Sequence, residues 1–370
     1  MKRALYLLWI PFICTLAYSQ PAKTDKKHLV YFSKEYFQIG GTRIDEQEKE
    51  NAYDRLPLAY KEKVRKEVWD LSKASAGITV GFITNATTIA ARWTVLNNFS
   101  MNHMAASGVK GVDLYVKEAG QWQYVNTGRP ASGKETEATL ISNMKGEQRE
   151  YRLYLPLYDG VVSLQIGIDS GRTLSKPMPV TAKPIIFYGT SITQGGCASR
   201  PGMAHTNIIS RKLDIECVNL GFSGNGRMEQ PLAALLADTD ALLYVIDCVP
   251  NMSKEMITAN TGALVATIRQ KRPSTPIVLV ENTQYETAAH DLKLQEQLQQ
   301  KNSNLKRIFD SLRAKAVPDL YYVTAKNALG SDHEGTVDGV HFTDLGFSRF
   351  ADHLIAAFRK YKLVPPARVK

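Results

Sequence analysis

Residues 185–194 read IIFYGTSITQ, and this short stretch decides how the C-terminal half of the chain is predicted to fold. The apolar run from Ile185 to Tyr188 predicts a strand buried on both faces, and Gly189 permits a sharp turn directly after it. Four further apolar runs follow, at 217–220, 241–246, 277–280 and 321–323. Helix-compatible stretches lie between or after them, at 205–213, 230–237, 254–271, 289–316 and 344–361. This alternation predicts an α/β domain with a five-stranded parallel sheet covered on both faces.

The half that precedes this stretch is predicted to be mainly β. Short runs of alternating apolar and polar residues surround Ala119-Gly120, which predicts a hairpin, and the turn residues 158–160 predict a second one. Several strands at such short spacing predict an all-β sandwich. The resulting division is a β domain over 20–175, a linker over 176–184 and an α/β domain over 185–370.

The N-terminus has the pattern of a signal peptide, residues 1–19. Lys2 and Arg3 precede an apolar stretch, and small residues before Gln20 predict cleavage there. A lipoprotein anchor at Cys14 is the alternative, but the bulky Ile13 disfavours it. We therefore expect an exported protein, periplasmic or extracellular. The apolar stretches that follow residue 19 are too short to cross a bilayer, so stable membrane insertion is not expected.

Charge and cysteine content narrow the partners. The formal net charge of +10 falls to +8 when Lys2 and Arg3 are removed. The sequence has no dense basic cluster interleaved with aromatic residues, so nucleic-acid binding is not expected. Three cysteines remain after cleavage, which excludes a fully paired set within one chain and leaves one bridge plus one free thiol open. Cys-x-x-Cys and His-x-His spacings are missing from the sequence, so neither a metal nor another cofactor is expected.

Candidate functional residues follow the predicted strands. In parallel sheets ligands bind at the carboxyl ends of the strands, and those ends carry Ser191, the glycine-rich loop with Gly224, and Asn251. Asp338 and His341 come just before the last helix. Each of these residues alone is more often a turn or capping residue, so the prediction rests on their order and shared position.

Together these residues predict nucleophilic catalysis by a serine. The hydroxyl of Ser191 needs a base, which His341 supplies, while Asp338 fixes the imidazole tautomer. The backbone N–H groups of Ser191 and Gly224, with the side-chain amide of Asn251, would form an oxyanion hole.

The order of these residues resembles the SGNH/GDSL hydrolase superfamily, named for Ser, Gly, Asn and His in four blocks. The resemblance implies a flavodoxin-like hydrolase domain and ester hydrolysis through an acyl-enzyme. Two blocks depart from the pattern: the first reads Gly-Thr-Ser-Ile instead of Gly-Asp-Ser-Leu, and Asn251 lacks the usual Gly-x-Asn-Asp surroundings. Thr190 replaces an aspartate of the family pattern that is not the acid of the triad, so activity is still expected.

The N-terminal half resembles a β-rich domain that precedes one bacterial group of these hydrolases. Gly111 to Tyr115 match its Gly-x-Asp-Leu-Tyr signature, and the segments 53–57 and 68–69 fit it as well. This resemblance implies a jelly-roll-like sandwich. Related two-domain enzymes deacetylate carbohydrates, and the expected activity is therefore removal of short acyl, chiefly acetyl, groups from a small-molecule or polysaccharide ester.

Two other functions stay open from the sequence: a lipid esterase or lysophospholipase, and a non-catalytic glycan-binding protein. Substrate contacts are predicted for four residues that follow strand ends or lie in the loop before Asp338, namely Arg227, Glu229, Tyr285 and His333. Cys197 lies close to Ser191 but has no base placed for it, and His103 has no evident partner.

Overall fold

The computed structural model describes residues 28–366, which form two antiparallel β-sheets followed by a parallel one. The predicted signal peptide, residues 1–19, lies outside this range. Within it, no helix combines the length and apolar character needed to cross a membrane.

From residue 28 onwards, the N-terminal part contains ten strands: β1 (Leu29–Phe32), β2 (Gln38–Gly40), β3 (Thr79–Thr84), β4 (Ile89–Val95), β5 (Val112–Glu118), β6 (Gln121–Gly128), β7 (Glu135–Ile141), β8 (Arg149–Tyr154), β9 (Val161–Asp169) and β10 (Leu174–Ser175). One sheet has the order β1-β9-β4-β7 and the other the order β10-β3-β8-β5-β6, with β2 also paired to β3. Alternate residues of these strands, such as Val80 and Phe82 of β3, are buried in a common apolar core. The predicted β-sandwich is therefore confirmed.

The two predicted hairpins have different outcomes. Strands β5 and β6 pair around Ala119-Gly120 as predicted. The second prediction is wrong, because β8 pairs with β3 and β5 whereas β9 pairs with β1 and β4. Residues 155–160 therefore cross from one sheet to the other. The buried carboxylate of Asp159 holds this crossing, accepting the N–H groups of Asn97 (2.9 Å) and Phe99 (3.0 Å).

The C-terminal part is built on five parallel strands: β11 (Ile185–Gly189), β12 (Cys217–Gly221), β13 (Leu243–Asp247), β14 (Ile277–Val280) and β15 (Leu320–Val323). Their order, β12-β11-β13-β14-β15, is the flavodoxin-like order. The fold predicted from the sequence and from the resemblance is thus confirmed. The chain reverses its direction of winding next to β11, so the carboxyl end of β11 is where a ligand is expected to bind.

The described residues form eight α-helices: α1 (Lys66–Ser72), α2 (Ala106–Lys110), α3 (Ser191–Gln194), α4 (His205–Leu213), α5 (Gln230–Asp238), α6 (Lys254–Lys271), α7 (Leu292–Ala314) and α8 (Asp344–Lys360). Helices α5, α6 and α7 pack on one face of the parallel sheet, against residues such as Tyr188 and Ile246. Helices α4 and α8 pack on the other face, against Phe187 and Val245. Both faces of the sheet are covered, as its apolar strands require.

The N-terminal part covers the outer edge of the parallel sheet. Strand β12 pairs only with β11, so backbone carbonyls on its other side need partners. The buried guanidinium of Arg55 donates to two of them, Gly221 O at 2.6 Å and Asn219 O at 3.2 Å. It also donates to Leu71 O (2.6 Å) and Ala74 O (2.8 Å) of the N-terminal part. This side chain therefore joins the sandwich to the end of β12 that leads into the candidate site.

Candidate active site

Ser191 is the first residue of α3, immediately after β11. The Thr190 hydroxyl accepts a hydrogen bond from Ile192 N at 3.3 Å, so the residue that replaces the usual aspartate of the block caps the helix. Glycine is required at 189, because a Cβ there would lie 2.0 Å from Thr193 Oγ1 and 2.8 Å from Asp247 O. The backbone thus holds the Ser191 side chain at the carboxyl end of β11.

The structure brings Ser191, His341 and Asp338 into one hydrogen-bonded chain. Ser191 Oγ lies 3.0 Å from His341 Nε2, and His341 Nδ1 lies 2.7 Å from Asp338 Oδ2. Asp338 Oδ1 also accepts the backbone N–H groups of His341 (2.8 Å) and Val340 (3.1 Å), so one local turn orients both side chains. The distances are those of a serine nucleophile, a base and an orienting carboxylate.

The hydrogen bonds of Asp338 also fix its charge. Partial burial raises the pKa of this carboxyl, but the bonds from the His341 ring and from the backbone outweigh it, and the net pKa is lowered. Asp338 is therefore ionised at neutral pH and favours the imidazole tautomer with a proton on Nδ1. The other nitrogen, Nε2, is then free to accept the proton of Ser191.

The loop after β12 packs between the ends of β11 and β13. Gly226 N donates to Asn251 Oδ1 at 3.2 Å, and Phe222 N donates to Gly189 O at 3.0 Å. Since the carbonyl of Asn251 is engaged, its NH₂ group is the part available to an oxyanion. Gly224 has φ +70°, a conformation that favours glycine. The three predicted oxyanion-hole residues thus lie on adjacent strand ends.

A buried network that sequence reasoning missed fixes the position of this loop. Gln194 donates from Nε2 to Leu157 O at 3.0 Å and accepts Ser223 N at 3.0 Å. The Tyr158 hydroxyl lies 3.4 Å from both the backbone oxygen of Ser191 and the Ser223 hydroxyl. Leu157 and Tyr158 belong to the crossing between the two sandwich sheets. The N-terminal part therefore contacts the nucleophile turn directly, which no local sequence pattern could indicate.

The four predicted substrate contacts separate into two pairs. Tyr285 and His333 line a cavity of about 710 Å³ beside the loop that carries Asp338. Glu286, which also lines this cavity, accepts a hydrogen bond at 2.8 Å from His333 Nδ1 in one tautomer, and its backbone N donates to Gly339 O at 3.0 Å. Arg227 and Glu229 lie between β12 and α5 and do not line this cavity.

Arg227 and Glu229 make contacts within the protein. Arg227 Nη2 donates to Gly224 O at 3.2 Å, at the edge of the oxyanion loop. Glu229 forms an ion pair with Arg65 of the N-terminal part. Their roles in substrate binding stay predictions, and Glu229 has a structural partner already.

Both parts of the chain are similar to known proteins. A model of the GDSL-like lipase/acylhydrolase family matches residues 182–359, and a model of the N-terminus of SGNH-hydrolase-type esterases matches residues 29–174. A protein from Bacteroides ovatus assigned as a GDSL-like lipase is 37% identical, with a TM-score of 0.87, over 91% of this chain and 99% of that chain. The chain belongs to the GDSL-like lipase/acylhydrolase family.

More distant structures share the fold of this acylhydrolase. A salicylyl-acyltransferase from a tetracycline biosynthetic pathway is 17% identical, with a TM-score of 0.75 over 94% of this chain and 100% of that one. An acetyl xylan esterase from the rumen bacterium Butyrivibrio proteoclasticus is 10% identical, with a TM-score of 0.55 over 90% of this chain and 99% of that one. The search of curated proteins gave no match.

Two further side chains lie beside the triad of the acylhydrolase. The ring centroid of His103, from the loop after β4, is 5.8 Å from that of His341. Cys197 is a buried free thiol in the turn after α3, and the structure leaves Cys217 and Cys248 free as well. Burial and the charge of Asp338 raise the pKa of the Cys197 thiol to about 12, so it is neutral at neutral pH and not an activated nucleophile.

Proposed function

We propose that this acylhydrolase removes short acyl groups, chiefly acetyl, from carbohydrate, with Ser191 as the nucleophile. Ser191 Oγ attacks the ester carbonyl while His341 Nε2 takes its proton. The tetrahedral oxyanion accepts hydrogen bonds from the N–H groups of Ser191 and Gly224 and from the Asn251 amide. His341 then protonates the departing alcohol, and a water molecule, activated by the same imidazole, releases the carboxylate from the acyl-enzyme.

The observation that carries the catalytic part of the proposal is the 3.0 Å contact between Ser191 Oγ and His341 Nε2. The two residues are 150 positions apart in the sequence. Ser191 is largely buried, but its turn lies at the carboxyl end of β11, where parallel sheets bind their ligands. A purely structural serine and histidine would need neither the Asp338 carboxylate behind the imidazole nor an amide donor such as Asn251 nearby.

The cavity beside the Asp338 loop supports a polar substrate. Its lining is rich in carboxylate, amide, hydroxyl and imidazole groups, including Glu281, Asn282, Gln284, Tyr285, Glu286, Asn302 and His333. Such groups hydrogen-bond sugar hydroxyls in both directions, whereas a long acyl chain needs an apolar channel. We infer that this cavity receives the carbohydrate part of the ester. One structural neighbour is an acetyl xylan esterase, which agrees with this substrate class.

The test is acetate release from a panel of acetylated polysaccharides, together with hydrolysis of p-nitrophenyl acetate and octanoate. We expect acetate release, a preference for the acetate ester, and loss of both activities in Ser191→Ala with an unchanged circular dichroism spectrum. Ser163→Ala is the matched control, because Ser163 is exposed on β9 of the sandwich. Retained activity in Ser191→Ala would remove this residue from the mechanism.

The same panel separates the other functions. Preference for octanoate over acetate would overturn the carbohydrate assignment in favour of a lipid esterase. Failure of a fluorophosphonate probe to label the wild-type protein, with no hydrolysis of any ester, would overturn catalysis and leave glycan binding.

We further propose that the enzyme acts outside the cytoplasm, on the evidence of the charged and apolar pattern of residues 1–19. Protein recovered from the periplasm or medium is expected to begin at Gln20 by N-terminal sequencing. Recovery of the full-length chain from the cytoplasm alone would contradict this proposal.

A further inference from the structure

Four side chains with metal-binding atoms converge at the rim of the proposed active site. They are His103 from the loop after β4, Cys197 from the turn after α3, and Asp338 and His341 from the loop before α8. One ligand atom from each lies within 4.8 Å of the other three. The four residues come from three separate stretches, so the sequence shows no metal-binding motif.

The chemistry and spacing of this cluster suit a thiophilic divalent cation. Two imidazoles, a thiol and a carboxylate are ligand types that Zn²⁺ binds in a tetrahedron, with bonds of about 2.0–2.3 Å. The corners of such a tetrahedron are about 3.3–3.7 Å apart. The present spacing of up to 4.8 Å therefore has to close by roughly 1 Å for one cation to bind all four groups.

The two ligands outside the triad, His103 and Cys197, each have a feature that is typical of a binding site. His103 Nδ1 bonds to Asn102 Oδ1 at 2.9 Å, which leaves Nε2 as the free ring nitrogen. Metal-binding histidines commonly donate their second ring N–H to an oxygen in this way. Cys197 has φ +73°, a strained conformation for a residue other than glycine, and its side chain is buried beside Asp338. Such strain is more common at binding sites than elsewhere.

We propose that His103, Cys197, Asp338 and His341 bind Zn²⁺ or a similar thiophilic cation, and that this binding reversibly inhibits the enzyme. The cation binds lone pairs of the His341 imidazole and the Asp338 carboxylate, and the Cys197 thiol releases its proton to solvent and binds as the thiolate. The imidazole can then no longer accept the proton of Ser191, and the carboxylate no longer orients it. Binding itself does not depend on the proposed function, but the inhibition does.

Binding is measured first on the Ser191→Ala variant, which keeps all four ligands. Titration with Zn²⁺ by calorimetry should give one site per chain, while Mg²⁺, which prefers oxygen ligands, should not bind. Titration with Co²⁺ should produce a near-ultraviolet charge-transfer band from the thiolate. We expect the band to disappear, and Zn²⁺ affinity to fall at least about tenfold, when Cys197→Ser is added to Ser191→Ala. Zn²⁺ affinity should fall as much with His103→Ala.

Inhibition is measured on proteins with Ser191 intact. Zn²⁺ should inhibit hydrolysis of p-nitrophenyl acetate by the wild-type enzyme, and excess EDTA should restore it. No hydrogen bond within residues 28–366 joins His103 or Cys197 to the triad side chains, so Cys197→Ser and His103→Ala should hydrolyse the ester at close to the wild-type rate. In both variants, half-inhibition should require at least about ten times more Zn²⁺.

Matched controls use a cysteine and a histidine elsewhere. Cys217 is a buried free thiol at the first residue of β12, at the opposite end of the strand from the site, and His290 is exposed. Cys217→Ser and His290→Ala should be inhibited like the wild type. The proposal is overturned if Ser191→Ala binds no Zn²⁺, or if Cys197→Ser and His103→Ala bind it as tightly as their parent. A folded, zinc-binding protein without esterase activity would instead contradict only the proposed function.

Discussion

Arg55 provides the sharpest test of how the two parts of the chain cooperate. Its side chain is buried and donates to four backbone carbonyls, two on the N-terminal part and two on β12. Arg55→Met keeps a similar length but removes every donor. The carbonyls of Asn219 and Gly221 would then lose the hydrogen bonds from Arg55 on the edge of the sheet. Gly221 is the last residue of β12, directly before the loop that carries Gly224.

The magnitude follows from the number of bonds lost. Hydrogen bonds from a charged donor contribute roughly 1.5–3 kcal/mol each, so four of them contribute about 6 kcal/mol at the lower end. Removing a buried charge returns several kcal/mol of desolvation, which offsets part of this loss. We expect the free energy of unfolding to fall by about 3 kcal/mol, and the melting temperature by about 6 °C. A shift of the oxyanion loop should also lower kcat about tenfold, since a misplacement of 1 Å costs about 100-fold.

The assay combines thermal unfolding with steady-state hydrolysis of p-nitrophenyl acetate, well below the melting temperature of the variant. Arg92→Met is the matched control, because Arg92 lies on β4 in an exposed ion pair with Glu137. Exposed pairs contribute at most about 1 kcal/mol, so this control should melt within about 2 °C of the wild type and keep its kcat. If Arg55→Met behaves like the control in both measurements, Arg55 does not support the oxyanion loop.

Three further substitutions test the site by kinetics and unfolding. Asn251→Asp keeps an acceptor for Gly226 N but loses the amide donor, so kcat should fall at least about 100-fold, and a loss below tenfold would remove Asn251 from the oxyanion hole. Asp338→Asn places an amide against His341 Nδ1, and kcat should fall by about 10⁴ with little change in KM; a fall of less than tenfold would show that Asp338 does not orient the base. Burial raises the pKa of Asp247 to about 7, well above its unfolded value, so its protonated form stabilises the fold and that contribution is lost as pH rises towards 7. In urea unfolding, Asp247→Asn should therefore gain about 3 kcal/mol relative to the wild type between pH 5 and pH 9, and parallel pH profiles would contradict this.

The parallel sheet could be predicted from sequence because its elements have simple patterns. Helices α4 and α6 have the predicted bounds, and each strand lies within two residues of an apolar run. Strands buried on both faces have to be continuously apolar, and helices that cover them have to be amphipathic. Chain order then places Ser191, Asn251 and His341 at one edge, because the carboxyl ends of parallel strands meet there.

The sandwich was less predictable, because its strands are short and partly polar. Strand β7 reads ETEATLI, and only Thr136 and Leu140 of it are buried, so its alternation is too weak to identify. The turn residues 158–160 have the composition of a hairpin, but their partners are chosen by the packing of two sheets. Local composition indicates that the chain turns and does not indicate which strand it meets next.

The contacts that join the two parts had no sequence signal, and they bear on what the β-sandwich does. Arg55 reaches the end of β12, Tyr158 lies against the nucleophile turn, and the carbonyl of Leu157 accepts from Gln194. A separate glycan-binding module would not need to place buried polar groups against the catalytic strands, since each such group costs free energy unless it is paired. The sandwich therefore packs against the oxyanion loop and stabilises its position. For the same reason, a fragment that begins near residue 182 would expose the carbonyls of Asn219 and Gly221 to solvent and lose the support of Ser191 from Tyr158.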